Sequence, residues 1–305
     1  MKTNISLILI LCLLLGACKN GNASSQNKSE TSQDTIKAIK MPAIPQMMTA
    51  PEQRADFLAK HYWDNVNFAD TNYIHHPEVT EQAWADYCDL LNHVPLETAQ
   101  QAMRNVIDRT NVDKKVFTYI TDLADKYLYD PNSPMRNEEF YIPVLEAMIA
   151  SPVLNETEKI RPQARLKLAQ KNRIGTKALN FTYTLASGAQ GSLYQLKAEY
   201  LLLFINNPGC QACTETIEGL KNAPIINQLL QEKKLVLLSI YPDEELDEWK
   251  KHLSEFPNEW INGYDKKFTI KEEQVYDLKA IPTLYLLDKD KTVLLKDATA
   301  PAIEA

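Results

Sequence analysis

The sequence predicts an α+β chain of two domains: an all-helical N-terminal part, then an α/β domain built on a mixed central sheet. Three observations predict it. A length of 305 residues exceeds one ordinary domain of roughly 100 to 200 residues. Through the first half, apolar residues recur at three- and four-residue spacing, as in Phe57, Leu58, His61, Tyr62 and Val66, which is the period of a helix. Near Asn172 the pattern changes to short continuous apolar runs, Tyr200-Leu201-Leu202-Leu203-Phe204-Ile205 and Leu235-Val236-Leu237-Leu238-Ser239-Ile240, as expected for strands buried on both faces.

Composition narrows the class. With 45% hydrophobic residues, 24% charged residues and 8 Gly, the chain is globular rather than disordered. A formal net charge of -7 without a long Lys/Arg run lacks the electrostatic footprint of nucleic-acid binding, so nucleic acid is dropped as a partner.

The first element is a targeting segment. Lys2 precedes an apolar stretch over 5–15, too short to span a bilayer and of signal-peptide length. Leu15-Gly16-Ala17-Cys18 resembles the bacterial lipobox, which implies a lipoprotein signal peptide over 1–17 and a lipid on Cys18. The expected location is the cell envelope, facing the periplasm and lipid-anchored to a membrane, with the outer membrane favoured. Leu11 is too bulky for Cys12 to serve instead. Residues 18–50, polar and then interrupted by Pro42 and Pro45, read as a flexible tether.

Residues 51–173 read as five or six helices, clearest over 96–111, 113–129, 137–150 and 155–171. Breaks fall at His76-Pro77, Val94-Pro95, the Asp130-Pro131 and Ser133-Pro134 pairs, and Ser151-Pro152, because proline cannot continue a helix. Cys88, beside Trp84, Tyr87 and Leu91, reads as an inert core residue. His75-His76 lacks the partners a metal requires, and no metal or cofactor is expected.

In residues 174–305, Phe181-Thr182-Tyr183-Thr184-Leu185 alternates, and the two apolar runs flank a helix over 214–231. With a second helix over 244–253, this is a parallel βαβ unit. Thr283-Leu284-Tyr285-Leu286-Leu287 and Lys291-Thr292-Val293-Leu294-Leu295 close the sheet as an antiparallel hairpin, and a short helix is expected over 301–305.

Cys210-Gln211-Ala212-Cys213 falls between the first buried strand and its helix. A thiolate at a helix N-terminus is stabilised by unpaired N–H groups and the helix dipole. Cys210 is therefore the candidate nucleophile and Cys213, one turn into the helix, the resolving thiol. Zinc would need two further ligands, yet His252 is this domain's sole histidine. A static disulfide would close too few residues to add much stability, and two inert buried thiols would fall at this junction only by chance. Glu215 reads as an acidic residue favouring the helix N-terminus.

These residues resemble a known family. Ala178-Leu179-Asn180-Phe181-Thr182-Tyr183, Gly191-Ser192-Leu193, the strand at 201–205, the CxxC pair and, about 70 residues later, Ala280-Ile281-Pro282-Thr283 look like the TlpA-like branch of the thioredoxin superfamily. The resemblance implies a thioredoxin-like domain and thiol-disulfide exchange on periplasmic proteins. It also implies a cis Pro282 facing both cysteines, with the Ile281 backbone free to pair with an extended substrate. Gly209, after Pro208, stands where the family usually has an aromatic residue, which predicts a more open site. The helical part resembles a domain of unknown function that precedes such domains in envelope lipoproteins, through Tyr127-Leu128-Tyr129-Asp130-Pro131-Asn132-Ser133-Pro134-Met135-Arg136-Asn137-Glu138.

The expected function is an envelope thiol-disulfide oxidoreductase of reductase or isomerase type. Its expected partners are envelope protein disulfides and a thiol-redox donor. The rival is a non-catalytic lipoprotein scaffold on a thioredoxin-like fold.

Overall fold

In the computed structural model, residues 38–305 are described; the signal segment, Cys18 and residues up to 37 lie outside the described residues. Residues 38–50 form no helix or strand. Ile39 nevertheless packs on the helical core, and Asn65 donates to the Lys40 carbonyl at 2.9 Å.

Among the described residues six helices precede the sheet: α1 (Pro51–His61), α2 (Pro77–Leu91), α3 (Leu96–Arg109), α4 (Lys114–Ala124), α5 (Glu138–Ala150) and α6 (Glu156–Ala169). Their starts follow from local chemistry. Proline opens α1 and α2, where its missing N–H costs nothing. Asp113 caps α4 by accepting from the Lys115 and Val116 N–H groups, and Asn155 forms a reciprocal capping box with Glu158 at α6. Pro143 lies inside α5 and cannot donate to the carbonyl of Glu139, four residues back. Gln100 of α3 donates to that carbonyl instead, at 3.0 Å, which ties α3 to α5. Helix α4 runs into a π-helical turn, Asp125–Tyr129. Trp84, Tyr87, Met103, Phe117 and Tyr141 fill the core. Cys88 is 2% exposed among them, and burial pushes its thiol well above the ordinary value.

The second part is a mixed sheet in the order β2-β1-β5-β4-β3-β6-β7. Its strands are β1 (Thr182–Leu185), β2 (Gln190–Ser192), β3 (Tyr200–Ile205), β4 (Leu235–Tyr241), β5 (Ile261–Tyr264), β6 (Thr283–Asp288) and β7 (Val293–Lys296). Strand β3 pairs parallel with β4 and antiparallel with β6. Alternation along β3 sends Leu201, Leu203 and Ile205 into one core layer and Leu202 and Phe204 into the other, which is why the run is apolar throughout. Helices α7 (Gln211–Lys221), α8 (Pro224–Gln231), α9 (Leu246–His252) and α10 (Ala300–Glu304) complete the domain.

Two details differ from the sequence expectation. The single helix over 214–231 is two, because the chain turns at Asn222 and Ala223 and Pro224 opens α8. Strands β2 and β5 were not expected. They are short and partly exposed, so they carry no apolar run. Strand β5 nonetheless joins β1 to β4, and a side chain at its Gly263 would lie 3.0 Å from the Tyr183 ring.

No helix among the described residues is long and apolar enough to cross a membrane. The helical part and the sheet belong to one compact unit, joined by buried charges. Glu138, at the start of α5, accepts from Lys279 at 2.5 Å and forms an ion pair with Lys296. Lys296 aligns its own donors on the carbonyls of Ala169 and Lys171, at 3.2 and 2.7 Å. Glu138 Oε2 therefore faces a charge rather than an aligned hydrogen bond. Lys279 also meets Asp277 at 3.2 Å.

Candidate functional site

Strand β3 is followed by the buried Asn206, whose Nδ2 donates to Ser239 Oγ of β4 at 2.8 Å. The chain then leaves the sheet through Asn207, Pro208 and Gly209. Gly209 has φ +70°, a left-handed conformation that glycine adopts without steric cost. This is a physical reason for glycine where the resembled family has an aromatic residue. The turn delivers Cys210 as the N-cap of α7.

The two sulfurs have different surroundings. Cys210 is partly exposed, and its Sγ accepts from the Cys213 N–H at 3.3 Å. Cys213, in the first turn of α7, is only 2% exposed. Burial, reinforced by its hydrogen bond with Cys210, pushes the Cys213 thiol up to about 12, against the opposing effect of a backbone hydrogen bond from Asn207.

Across the site lies the loop before β6. The Ile281–Pro282 peptide bond is cis, and the Cys210 thiol donates to the Ile281 carbonyl over 3.7 Å. Thr283 Oγ1 fixes the same loop by donating to the Ala280 carbonyl at 2.6 Å. The residues singled out from sequence, Cys210, Cys213, Ile281 and Pro282, thus converge on one place, and Cys18 lies outside the described residues. Glu215 accepts from Gln211 at 2.9 Å on the exposed face of α7.

This fold and junction can be set beside known proteins. The family model described as "Domain of unknown function (DUF5106)" matches residues 17–172, and one described as "Thioredoxin-like" matches residues 198–293. The chain belongs to the DUF5106 family and carries a thioredoxin-like domain. It is similar to a thioredoxin-like protein from Bacteroides caccae, with 84% identity over 88% of this chain and 98% of that one, at a TM-score of 0.86. It is also similar to the C-terminal domain of an uncharacterized protein from Bacteroides fragilis, with 70% identity over 44% of this chain and 95% of that one, TM-score 0.43. A third similar structure is the thioredoxin domain of a thiol-disulfide oxidoreductase from Bacteroides vulgatus, with 20% identity over 43% of this chain and 96% of that one, TM-score 0.39. No curated protein matches.

Several neighbours of the cysteine pair had not been singled out from sequence. Asn207 Nδ2 donates to Asp243 Oδ2 at 2.8 Å, and Lys271 donates to the other oxygen of Asp243 at 2.6 Å. An asparagine three residues before Cys210 was open to notice. Asp243 and Lys271 carry no local signal, because tertiary folding alone brings them there. Beside Ile281 a cleft of about 400 Å³ is lined by Pro242, Asp243, Lys271, Leu278 and Leu168 among others. Among the described residues, no group of three or more His, Cys, Asp or Glu is placed to hold a metal ion.

Proposed function

We propose that this protein is a thiol-disulfide oxidoreductase of the cell envelope, with Cys210 as nucleophile and Cys213 as resolving thiol. The observation that carries the reading is the contrast between the sulfurs. A partly exposed Cys210 caps a helix and accepts an N–H bond, over a buried Cys213 that burial keeps protonated at neutral pH.

The chemistry follows. The Cys210 thiolate attacks one sulfur of a substrate disulfide, forming a mixed disulfide and expelling the other sulfur as a thiolate that takes up a proton. The Cys210 sulfur is then no longer a thiol, so its contribution to holding the Cys213 proton is relieved and burial alone opposes ionisation, while the Asn207 backbone hydrogen bond still favours the Cys213 thiolate. Cys213 loses its proton and attacks Cys210, releasing the second substrate thiol. Two electrons pass to the substrate, and the enzyme pair becomes a disulfide. A dithiol donor of the same compartment restores it, and no further cofactor takes part. In isomerisation the released substrate thiolate re-attacks, with no net change in oxidation state.

The Ile281 backbone, beside Cys210, is the place for an extended substrate to pair. The substrates are protein disulfides of the envelope. A lipid on Cys18 would hold the protein to a membrane, the outer membrane by preference, with this domain facing the periplasm.

The test uses the two single-cysteine variants. Reduced Cys213→Ser, incubated with a cystine-containing protein, should accumulate a mixed disulfide visible on a non-reducing gel, and Cys210→Ser should not. Equal behaviour of the two, or full complementation of a deletion strain by Cys210→Ser, would leave the scaffold reading in its place.

A further inference from the structure

The cleft beside Ile281 has one wall that the thioredoxin-like domain does not supply. Leu168 lies in the last turn of α6, in the DUF5106 part, and lines the cleft with Pro242, Leu278 and Ile281. The buried Ile270 and Tyr276 line it as well.

The end of α6 is pinned there. Lys171 donates to the carbonyl of Gln274 at 2.6 Å, and Asn172 donates to that of Val275 at 2.7 Å. The backbone N–H of Leu179 in turn donates to Asn172 Oδ1 at 2.7 Å. These bonds join the helical part to the segment that forms the cleft wall, so Leu168 has a set position relative to Ile281 and, through it, to Cys210.

The charges of the cleft are satisfied before any ligand arrives. Among the lining residues, Lys271 is the cation, and it is paired with Asp243 at 2.6 Å. Asp277 is paired with Lys279 at 3.2 Å. No unpaired cation remains among the lining residues to receive an anionic ligand. At about 400 Å³ the space is of ligand-pocket size. Its apolar wall suits an uncharged side chain, because a charged group would lose hydration there without a partner.

We propose that this cleft receives an apolar side chain flanking the reacting cystine of a polypeptide substrate, and that Leu168 is a specificity-determining residue supplied by the DUF5106 part. The inference rests on the thiol-disulfide reading above. It assigns the helical part a share in substrate selection and disfavours small anionic disulfides such as that of glutathione.

The experiment is single-turnover reduction by the fully reduced chain of two cystine peptides that differ only in a leucine or a glutamate next to the cysteine. The wild type should favour the leucine peptide by about tenfold in the second-order rate constant of reduction, the discrimination a small apolar subsite yields, with the difference carried by the half-saturating peptide concentration. Leu168→Lys, which offers the glutamate a cation, should bring that ratio to one or below, and the milder Leu168→Ala should lower it part of the way. General damage to the fold would slow both peptides together and preserve the ratio. A preserved ratio, equal wild-type rates for the two peptides, or faster reduction of glutathione disulfide than of either peptide would overturn the inference and leave the oxidoreductase reading standing. Failure to reduce any of these disulfides would sink the reading itself, and the inference with it.

Discussion

Replacing Glu138 by glutamine tests whether the helical part is energetically clamped to the loop that faces Cys210. The side chains of Glu138, Lys279 and Lys296 are 12%, 6% and 7% exposed, so one carboxylate serves two buried ammonium groups. Removing one partner of a buried ion pair costs roughly 3 to 5 kcal/mol, because the remaining charge is left uncompensated. Here Lys279 keeps Asp277 at 3.2 Å and Lys296 keeps two carbonyls, which sets the expectation for Glu138→Gln at the low end, about 3 kcal/mol.

The assay is urea unfolding followed by circular dichroism, with the m-value unchanged. Thermal scans should show a fall of about 6 to 12 °C, at roughly 2 to 4 °C per kcal/mol for a chain of this size class. Glu218→Gln, which removes an exposed ion pair with Lys221 at 2.8 Å, serves as the contrast and should change stability by less than about 1 kcal/mol.

The pH dependence adds a sign. Burial pulls the Lys279 ammonium down, but the carboxylates of Glu138 and Asp277 together outweigh it and hold the group above its ordinary 10.5. A lysine raised on folding contributes stability that is fully present below its unfolded value and is lost as pH rises through the folded one. The gap between Glu138→Gln and wild type should therefore be flat between about pH 7 and 9 and close above about 10.5. A penalty below about 1 kcal/mol, or one that widens with rising pH, would refute the reasoning.

In native protein near neutral pH, iodoacetamide should label Cys210 but leave Cys213 and Cys88 untouched until denaturant is added, as read by peptide mass spectrometry; native labelling of Cys213 at the Cys210 rate would contradict its burial. Because Cys213 is held up to about 12 against an ordinary 9.0, the folded state keeps a proton that the unfolded state has lost, and stability should fall as pH rises between those values. Gly209→Ala places a methyl group in open space but at φ +70°, so it should cost about 1 kcal/mol through backbone strain alone. A chemical-denaturation midpoint equal to wild type would show that the turn adjusts freely.

Local chemistry in the sequence determined the succession of elements and the place of the reactive pair. The uninterrupted apolar run of β3 announced a strand buried on both faces, and the CxxC that follows had to fall where that strand gives way to a helix. Proline positions mark several helix starts, since the missing N–H acts on the nearest turn whatever the rest of the chain does, and Pro224 carries the same signal for the break between α7 and α8. Strands β2 and β5 were not legible, because three or four partly exposed residues hold no periodic pattern and become strands only when β1 and β4 offer them hydrogen bonds. The convergence of Ile281 on Cys210 was foreseen only by resemblance to a family.

Other features were decided by tertiary structure alone. Glu138 and Lys279 lie 141 residues apart, and nothing near either residue forecasts that they share a buried site. Asp243, Lys271 and Leu168 likewise meet only because the sheet and α6 pack together. Periodicity, capping and strand character arise from neighbours along the chain and can be read there, whereas ion pairing and cleft formation depend on distances that exist only once the whole core has closed.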